Sequence, residues 1–481
     1  MESHLTDTLV NYPASEIEHD GSVYSLVKEQ GTENKFLGVR GNSAGFEGGM
    51  DAAEDFSLFP LSAANARELR AHLSWLNPVP LGVATSMGFG DRLGVATPGH
   101  VASMGDSGVM PIFAQQSVRE NDRTGRTPQQ VIDDAMWGVF QMGWQAAWGA
   151  DADHIKEVTS LPAFLEAGYT FFTIDPGDHV DNAAHTAAVA VLREKVAALP
   201  WEQLDSSPEE LYKHYLDHDF NLDGITINFS EVDLLRAAAK YGRSIAHAKN
   251  VFEHIQAGSK DGGFDLEMSV DETDTPTSPE EHFFIAGELK RLGIPVNSLA
   301  PRFIGSFEKG VDYIGDLQAF EQDVAGHAAV MKHYGSYKLS VHTGSDKFSI
   351  YPLVAEYTGG RVHVKTAGTS YLEALRVAAA IDPAFFREIL NFSRGRYNTD
   401  RATYHVSGNV ERVPAADALR DADLLVLFEQ FDARQVLHVT FGSVLDEYGE
   451  RLMTLLRQHE AAYAEGLKSH FEKHIKPFAR V

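Results

Sequence analysis

From about residue 79 onward, hydrophobic and polar positions repeat as a short strand-like run followed by a stretch of helical period. Runs of this kind lie at 79–88, 111–117, 169–175, 264–272, 297–303, 337–342, 361–368 and 436–443. The clearest helices follow the fourth to the seventh run, and a long amphipathic helix ends the chain. A strand followed by a helix, repeated about eight times, is typical of parallel βα units.

Eight repeats favour an α/β fold of the TIM type, a (β/α)8 barrel, over an open doubly wound sheet. No Gly-x-Gly-x-x-Gly sequence opens a helix after the first run, which argues against a dinucleotide-binding sheet. The predicted parts are an N-terminal extension over 1–78 with a small β hairpin and a helix, the barrel over 79–443, and a C-terminal helix over 444–481 that packs on the barrel. The segment 182–263 is too long for an ordinary connection, so we predict a large insertion after the third strand, at the barrel mouth.

The predicted strands carry a polar face. In the run at 264–272, Asp265, Glu267, Ser269 and Asp271 alternate with aliphatic residues and therefore share one face. The same alternation occurs in three other runs, in the sets Lys338, Ser340 and His342; Arg361, His363 and Lys365; and His438 and Thr440. Because the aliphatic face packs most simply against outer helices, the polar face is predicted to point into the barrel. Unpaired charge is costly to bury there, so opposite charges or a metal ion must compensate it.

The composition narrows the chemistry of such a site. The chain has 481 residues and no cysteine, which excludes disulfides, thiolate nucleophiles, zinc fingers and iron–sulfur ligation. Any metal must therefore be held by nitrogen and oxygen ligands, for which 21 histidines and 68 carboxylates are present. The net charge of −27 argues against nucleic acid or an anionic membrane surface as a partner.

The sequence also bears on location and partners. Its start, MESHLTDTLVNYPASE, has neither the basic region nor the apolar region of a signal peptide. No stretch approaches the roughly 18 uninterrupted apolar residues of a membrane span. We therefore expect a soluble, cytoplasmic protein that binds a small molecule and neither nucleic acid nor a membrane. The sequence does not fix the oligomeric state, and a homo-oligomer is one of the open alternatives.

The active sites of βα barrels form at the carboxyl ends of the strands. This rule selects His179, Glu267 and His342 as the best three metal ligands, with His363 as a fourth. Neutral imidazoles mixed with a carboxylate suit Zn²⁺, Mn²⁺, Co²⁺ or Ni²⁺ better than Mg²⁺. Since a catalytic metal site needs about three protein ligands and an open position, these residues are sufficient for one.

The turn after His342 adds an element suited to an anion or a polyol. The sequence Thr-Gly-Ser-Asp-Lys precedes a predicted helix, so backbone amides, Ser345 and Lys347 are expected at a helix N-terminus. The strand-end rule selects further polar residues for substrate binding, namely Arg92, Gln116, Arg119 and Arg302.

Four blocks of sequence resemble the tagaturonate epimerase family, which interconverts tagaturonate and fructuronate in hexuronate catabolism. They are SMGFGDRLGVATPGH (86–100), PIFAQQSVREN (111–121), VHTGSDKFSIYP (341–352) and VKTAGTSYLEALR (364–376). The resemblance runs in the same order over most of the chain, from about residue 80 to about 445. It implies a carbohydrate epimerase that acts on a sugar acid.

A more distant resemblance is to class II, metal-dependent sugar aldolases. Those enzymes have a catalytic aspartate followed by a ligating histidine after an early strand, which is similar to Asp178 and His179. They also have a strand that ends in a ligand histidine before a Gly-Ser turn, which is similar to His342. Another aldolase ligand corresponds to Arg361, and His363 lies two residues further along. This resemblance implies a metal site that includes His179 and His342.

The resemblance also implies a mechanism. The two sugar acids differ at a hydroxyl-bearing carbon two atoms from the ketone, so simple enolisation does not acidify its C–H bond. We predict a metal-dependent retro-aldol cleavage and re-addition; transient oxidation by a nicotinamide is the other route. Asp178 and Asp271 are the candidate acid–base groups. Lys365 holds the aldehyde oxygen or, as the lesser alternative, forms a Schiff base. Bidentate contact to the substrate carboxylate is assigned, unranked, to Arg92, Arg119 and Arg302.

Two alternatives stay open. A metal-dependent ketose aldolase, or an epimerase or isomerase of another non-phosphorylated sugar, would use the same residues. A catalytically inactive barrel that binds sugar acids is the alternative from a different class, although a pure binder has little need of buried ligands and paired carboxylates.

Overall fold

The N-terminal region forms an antiparallel sheet. The computed structural model describes residues 9–259 and 263–479. Small parts of the predicted N-terminal extension (1–8), insertion (260–262) and C-terminal helix (480–481) lie outside the described residues. The first elements are β1 (Leu9–Asn11), β2 (Ile17–His19), β3 (Ser22–Glu29), β4 (Lys35–Arg40), β5 (Met50–Ala53), β6 (Phe56–Pro60) and α1 (Ala63–His72). The order in the sheet is β1-β3-β4-β6-β5, with β2 paired to β3. This region therefore has six strands where the sequence predicted a single hairpin, which corresponds to β3 and β4.

Eight parallel strands close into a barrel, which confirms the predicted fold class. The remaining strands are β7 (Ser86–Gly88), β8 (Met110–Ser117), β9 (Gly149–Ile155), β10 (Phe171–Ile174), β11 (Phe220–Asn221), β12 (Thr226–Ile227), β13 (Asp265–Ser269), β14 (Ser298–Ala300), β15 (Lys338–Val341) and β16 (Val362–Lys365). The barrel follows chain order, and β16 pairs with β7 to close it. Strands β11 and β12 form a separate two-stranded sheet in the insertion.

Helices surround the barrel and make up most of the insertion and the C-terminal region. They are α2 (Thr97–Met104), α3 (Val118–Thr124), α4 (Pro128–Gln141), α5 (Leu161–Ala167), α6 (Val189–Ala197), α7 (Pro208–Tyr215), α8 (Glu231–Gly258), α9 (Pro279–Arg291), α10 (Leu317–Tyr334), α11 (Tyr351–Thr358), α12 (Thr369–Ile381), α13 (Pro383–Asp400), α14 (Asp421–Leu424), α15 (Phe431–Val439), α16 (Phe441–Gln458) and α17 (Glu460–Ile475). Their ends follow local sequence signals. A capping box of Ser278 and Glu281 starts α9, and Gly335 ends α10 in the left-handed conformation.

Two strand predictions differ from the structure. The third barrel strand, β9, was not predicted, because its sequence GADADHI has few of the β-branched and aromatic residues typical of strands. The predicted eighth strand at 436–443 is wrong, since α15 and α16 cover it. A short buried apolar run cannot be assigned to strand or helix from periodicity alone. The insertion at 182–263 consequently follows the fourth strand, not the third, and the predicted C-terminal helix is two helices, α16 and α17.

The polar face of the strands lines the barrel interior, as predicted. Lys365 Nζ on β16 lies 3.0 Å from Glu267 Oε1 on β13, although these strands are not neighbours. Lys338 Nζ donates to Ser86 Oγ at 2.7 Å, again between non-adjacent strands. The alternating aliphatic residues, such as Leu339, are buried on the other face. The interior therefore holds charges that pair across the barrel, together with some polar groups, such as the Gln115 amide, that have no hydrogen-bond partner among the described residues.

The C-terminal helix α17 joins the barrel to the N-terminal sheet. A Cβ placed on Gly99 of α2 would lie 2.6 Å from Leu467 Cβ, so these helices pack at close range. Lys35 of β4 lies 2.7 Å from Glu460 at the start of α17, and Tyr12 donates to the same carboxylate at 2.6 Å. Across the described ranges, none of the helices is both long and apolar enough to cross a membrane.

Candidate active site

A cavity opens at the carboxyl ends of the barrel strands. Its outer part has a volume of about 340 Å³ and adjoins a deeper pouch of about 40 Å³. Residues that line both parts include Arg119, Asp271, Glu272, Lys309, His342 and Thr343. The cavity thus lies where the barrel fold places catalytic residues.

Strand β9 has a bulge where it enters this cavity. Phe172 pairs with Ala152 and Ile174 with Ile155, so Asp153 and His154 lie opposite a single residue of β10. The φ angle of His154 is +56°, a left-handed conformation that costs about 1–2 kcal/mol for a residue other than glycine. Because a bulge interrupts the alternation of side chains, both of these consecutive residues line the pouch.

His154, Asp271 and His342 form what we call the cavity cluster, in which one possible ligand atom of each lies within 4.8 Å of the others. His154 Nδ1 is 2.7 Å from Asp153 Oδ1, and its Nε2 is directed to Asp271, 3.8 Å from Oδ1. His342 Nε2 is 2.6 Å from Glu267 Oε1, and its Nδ1 is 3.3 Å from Asp271 Oδ1. Each imidazole therefore has a carboxylate behind it and its other nitrogen facing Asp271.

This arrangement fits a divalent metal ion. Histidines that bind metals usually donate their second N–H to a carboxylate, which fixes the tautomer; Asp153 and Glu267 occupy that position here. Two imidazole nitrogens and one carboxylate oxygen leave a further coordination position for substrate, and they suit Zn²⁺, Mn²⁺, Co²⁺ or Ni²⁺. Glu267, which was predicted as a ligand, is placed in this geometry to orient His342, 2.6 Å away.

Lys365 lies beside the cavity cluster among three carboxylates. Its Nζ is 2.6 Å from Asp153 Oδ1, 2.9 Å from Asp151 Oδ2 and 3.0 Å from Glu267 Oε1. It also donates to Thr173 Oγ1 at 2.6 Å. One ammonium group therefore compensates charge from two strands, and its removal would leave buried carboxylates without a partner.

The same contacts set the pKa values of this network. Burial works to lower the pKa of Lys365, but its three carboxylates hold that pKa well above the usual range. Burial raises the pKa of Asp151 to about 7, against the opposing effect of Lys365. Because a Schiff base needs a neutral amine, the geometry favours Lys365 as a hydrogen-bond donor.

The pKa values of the histidines in the cavity cluster are also shifted. Burial opposes their protonation, yet Asp153 raises the pKa of His154 well above its usual value, and Asp271 raises that of His342. Since metal ligands must be deprotonated, a cation that enters the cluster would displace these protons.

Comparison with known proteins decides the family. A family model described as tagaturonate epimerase matches residues 12–478. The Tagaturonate/fructuronate epimerase of Thermotoga maritima is 44% identical over 472 residues, which cover 96% of this chain and 96% of that protein. The chain belongs to the tagaturonate epimerase family. Two crystal structures of fructuronate-tagaturonate epimerase from Cohnella laeviribosi, one native and one glycerol-complexed, share 36% identity and a TM-score of 0.93 with it. Each comparison covers 99% of this chain and 98% of theirs.

Of the predicted catalytic and metal-binding residues, Asp271, His342 and Lys365 line the cavity of this epimerase-family chain, and a fourth, Glu267, lies behind His342. A fifth, His363, lies deeper in the barrel. Its Nδ1 is 2.9 Å from Ser86 Oγ, and burial holds its pKa well below the usual value. His363 is therefore close to the site along β16 but is not part of the cavity cluster.

Asp178 and His179 lie outside the cavity, in a single helical turn that follows β10. Asp178 Oδ1 is 3.5 Å from Lys156 Nζ, and its side chain is 70% exposed. His179 stacks on His247 of the insertion, with ring centroids 4.0 Å apart, in a separate groove. The Asp-His pair that does reach the cavity is 153–154, on the strand that was not predicted.

Gln115, and not the predicted Gln116, lines the cavity. Gln116 Nε2 donates to Thr124 Oγ1 at 3.2 Å, away from the cavity. Gln115 lines the pouch, and its amide atoms have no hydrogen-bond partner within residues 9–259 and 263–479. Because side chains alternate along a strand, only one of two consecutive residues faces the barrel interior.

The three predicted arginines all line the cavity, but in different ways. Arg92 borders the pouch, where its Nη2 is 2.7 Å from Glu120 Oε1 and its guanidinium lies 3.6 Å from the ring centroid of Phe441. Arg119 is 44% exposed and 3.5 Å from Glu272. Arg302 lines the outer part.

Ser345 and Lys347 are buried behind the cavity wall. Lys347 Nζ donates to the backbone oxygen of Glu308 at 2.9 Å and to that of Ser345 at 3.1 Å. It also donates to the backbone oxygen of Val311, and burial lowers its pKa to about 7. Lys347 therefore ties the turn after His342 to the loop that carries Lys309.

Sequence reasoning missed Asp151, Asp153, His154 and Lys309. One signal was available, because an aspartate followed by a histidine after an early strand also fits 153–154. The strand itself gave a weak signal, and a bulge cannot be read from alternation. Lys309 lies in a loop, where no periodicity indicates which way a side chain points.

Proposed function

We propose that this chain interconverts tagaturonate and fructuronate and that the cavity cluster holds the divalent metal ion it needs. The observation that carries this proposal is the pair of carboxylate-backed histidines facing Asp271, in a cavity that cationic side chains also line. The relatives from T. maritima and C. laeviribosi, whose names state this activity, support the choice of substrate.

The reaction must invert a hydroxyl-bearing carbon two atoms from the ketone. In a retro-aldol route a base takes the hydroxyl proton, the adjacent C–C bond breaks, and its electron pair moves towards the ketone. The aldehyde then turns over, the same bond re-forms on its other face, and the proton returns. No oxidant or reductant is needed. A bound metal ion would supply Lewis-acid polarisation of the ketone.

We assign the base to Asp153, which lines the pouch directly beside the cluster. Burial works to raise its pKa, but His154 and Lys365 hold that pKa well below the usual range, so it is ionised and able to accept a proton. Lys365, 2.6 Å from Asp153, is placed to stabilise the developing oxygen charge. Asp271, predicted as an acid–base group, is assigned to the metal instead.

The test is NMR of a tagaturonate incubation with purified protein. We expect fructuronate to form, activity to be lost after chelation, and activity to return on adding back one of the four candidate metals. In deuterated water the hydrogen on the inverted carbon should remain unexchanged. Asp153→Asn is expected to lower kcat by about 10²- to 10⁴-fold in protein saturated with metal, because Asp153 also orients His154 and its replacement should weaken metal affinity.

The other outcomes are equally informative. Full turnover after chelation, with metal absent by elemental analysis, would reject the metal. Accumulation of shorter fragments would indicate a ketose aldolase. Binding of the sugar acid without any product would indicate a barrel that only binds.

A further inference from the structure

Several cationic side chains line one cavity of an otherwise acidic protein, but their charges are not equally available. Arg92 is held through Nε and Nη2 by Glu120, at 3.0 and 2.7 Å, so its charge is already balanced. Arg119 lies 3.5 Å from Glu272 and is 44% exposed, so solvent screens it. Arg302 lines only the outer part of the cavity, whereas Lys309 lines both the outer part and the pouch.

Lys309 lies in the loop between β14 and α10. Its Nζ donates to Thr343 Oγ1 at 3.1 Å. Among the residues the structure describes, no carboxylate lies within 4 Å of this ammonium group. Burial lowers the pKa of Lys309, and the attraction of the more distant Glu120 and Glu272 does not outweigh it. The group can therefore gain an anionic partner from outside the chain.

The residue before Lys309 is held in place by several hydrogen bonds. The preceding Glu308 accepts hydrogen bonds from Ser407 N at 2.7 Å, Ser407 Oγ at 2.8 Å and Gln435 Nε2 at 2.8 Å. Lys347 Nζ donates to the Glu308 backbone oxygen at 2.9 Å. A loop fixed by this many contacts positions its side chain before substrate arrives.

Thr343, the partner of Lys309, is held in a strained conformation. Its φ is +47°, which is unfavourable for a β-branched residue. The next residue, Gly344, packs so closely on β16 that a Cβ there would lie 2.7 Å from Val364 Cγ1. This close packing restricts the turn and holds Thr343 on the cavity wall directly after His342. Such strain is found where a functional group must be aimed.

We propose that Lys309 binds the carboxylate of the substrate and so makes the enzyme prefer a sugar acid over the corresponding neutral ketose. This inference rests on the proposed function. In a uronate the carboxylate and the ketone end lie at opposite ends of the carbon chain. Lys309 adjoins the residue after His342, so a sugar bound by its carboxylate there extends towards the cavity cluster.

The test compares Lys309→Met with wild type on tagaturonate and on tagatose, which carries a hydroxymethyl group in place of the carboxylate. We expect kcat/KM for tagaturonate to fall by about 10²- to 10³-fold, and kcat/KM for tagatose to fall far less. Lys309→Arg should restore at least tenfold of the loss. Lys332→Met is the matched control, because Lys332 lies on the surface, 3.8 Å from Asp223 and 44% exposed.

A second measurement, of binding, applies if tagatose is converted too slowly for kcat/KM to be measured. Calorimetric titration with a six-carbon aldonate and with the matching alditol should show that Lys309→Met weakens binding of the aldonate alone. Equal losses on charged and neutral compounds, or a selective loss in Arg119→Met or Arg302→Met but not in Lys309→Met, would overturn the inference. A wild-type protein that does not convert tagaturonate would reject the proposed function instead, so the two failures are distinguishable.

Discussion

Two groups of histidine and aspartate in this protein have similar spacing but different chemistry. The first is the cavity cluster at the barrel mouth. The second, which we call the helix cluster, consists of Asp346, His470 and His474, where α17 meets the turn after β15. In both groups, one possible ligand atom of each residue lies within 4.8 Å of the others. Spacing and residue type alone would therefore make both of them metal sites.

Hydrogen bonding separates the two groups. In the helix cluster, His474 Nδ1 donates to the backbone oxygen of His470 at 3.0 Å, and its Nε2 accepts from the backbone N–H of Asp346 at 2.9 Å. Arg434 already neutralises Asp346 at 2.7 Å. In the cavity cluster, each histidine directs one nitrogen at Asp271 and the other at a second carboxylate, Asp153 or Glu267. Two features, rather than the residue types, therefore set the helix cluster apart: both nitrogens of His474 are used, and Arg434 neutralises Asp346.

The pKa values of the histidines also shift in opposite directions in the two clusters. Burial lowers the pKa of both His470 and His474, although Asp346 acts against it. In the cavity cluster, the nearby aspartates outweigh burial and raise the pKa of His154 and His342. The helix cluster therefore holds neutral imidazoles for structural reasons, while the cavity cluster concentrates negative charge that a cation would stabilise.

The largest difference is expected from removing one histidine of each cluster. His342→Ala should eliminate bound metal and lower kcat/KM by about 10³-fold or more, because a ligand and the ketone-polarising ion are lost together. His474→Ala is the matched variant and should keep its metal and its turnover. Elemental analysis and NMR turnover measure both. Metal retained by His342→Ala, or lost from His474→Ala, would reverse the assignment of the two clusters.

A smaller effect is expected when the carboxylate behind a ligand is changed. Glu267→Gln keeps the size and one acceptor but weakens the orientation of His342, so metal affinity should fall by about 10- to 100-fold. Competition with a chromogenic chelator measures this affinity. If Glu267 is itself a ligand, the variant should behave like His342→Ala and lose the metal completely.

In the helix cluster the corresponding effect is on stability. His474→Ala removes two buried hydrogen bonds and packing against Phe348, so we expect the free energy of unfolding to fall by about 2–4 kcal/mol. Urea unfolding measures the loss. An unchanged midpoint would mean that α17 is not held at this point.

The smallest effect concerns pH. His470 has Asp346 at 3.6 Å and Glu373 at 3.5 Å, with His474, Arg434 and Lys473 also nearby. Its folded pKa lies below the unfolded value of about 6.5, so below that pH the unfolded chain binds more protons. Stability should therefore fall as pH drops from about 6.5.

The check on this pH effect uses His470→Leu, which cannot bind the proton. Its unfolding free energy should vary less with pH between about 4.5 and 6.5 than that of wild type. Asp346, whose pKa is also lowered despite burial, contributes only at lower pH. Identical slopes in the two proteins would show that His470 is protonated equally well in the folded chain.

The prediction of the barrel from the sequence succeeded where local signals were strong. Strands β13, β15 and β16 alternate aliphatic and polar residues, and this parity placed Glu267, His342 and Lys365 inside the barrel. It failed at β9, where few residues favour a strand. It also failed at 436–443, where an apolar run belongs to helices. These errors cancelled in the count of eight strands but displaced the insertion by one strand.

The candidate site shows the same division. The sequence placed His342 in the site as a metal ligand and Asp271 as an acid–base group, and both line the cavity. It assigned the Asp-His pair to 178–179, because the strand that carries 153–154 had no recognisable pattern. It also assigned Lys347 to the substrate, since a lysine after a Gly-Ser turn gives no indication that three backbone oxygens enclose it.

By itself, the sequence determined the repeated strand–helix order, the polar interior, the absence of thiol chemistry and the family resemblance, since each of these depends on residue type and short-range spacing. Only the tertiary structure decided which histidine nitrogens remain available, which lysine faces the cavity and which one binds backbone oxygens. These properties depend on groups far apart in the chain, and on a bulge and strained turns that local preference disfavours. Packing imposes them, and no local pattern records them.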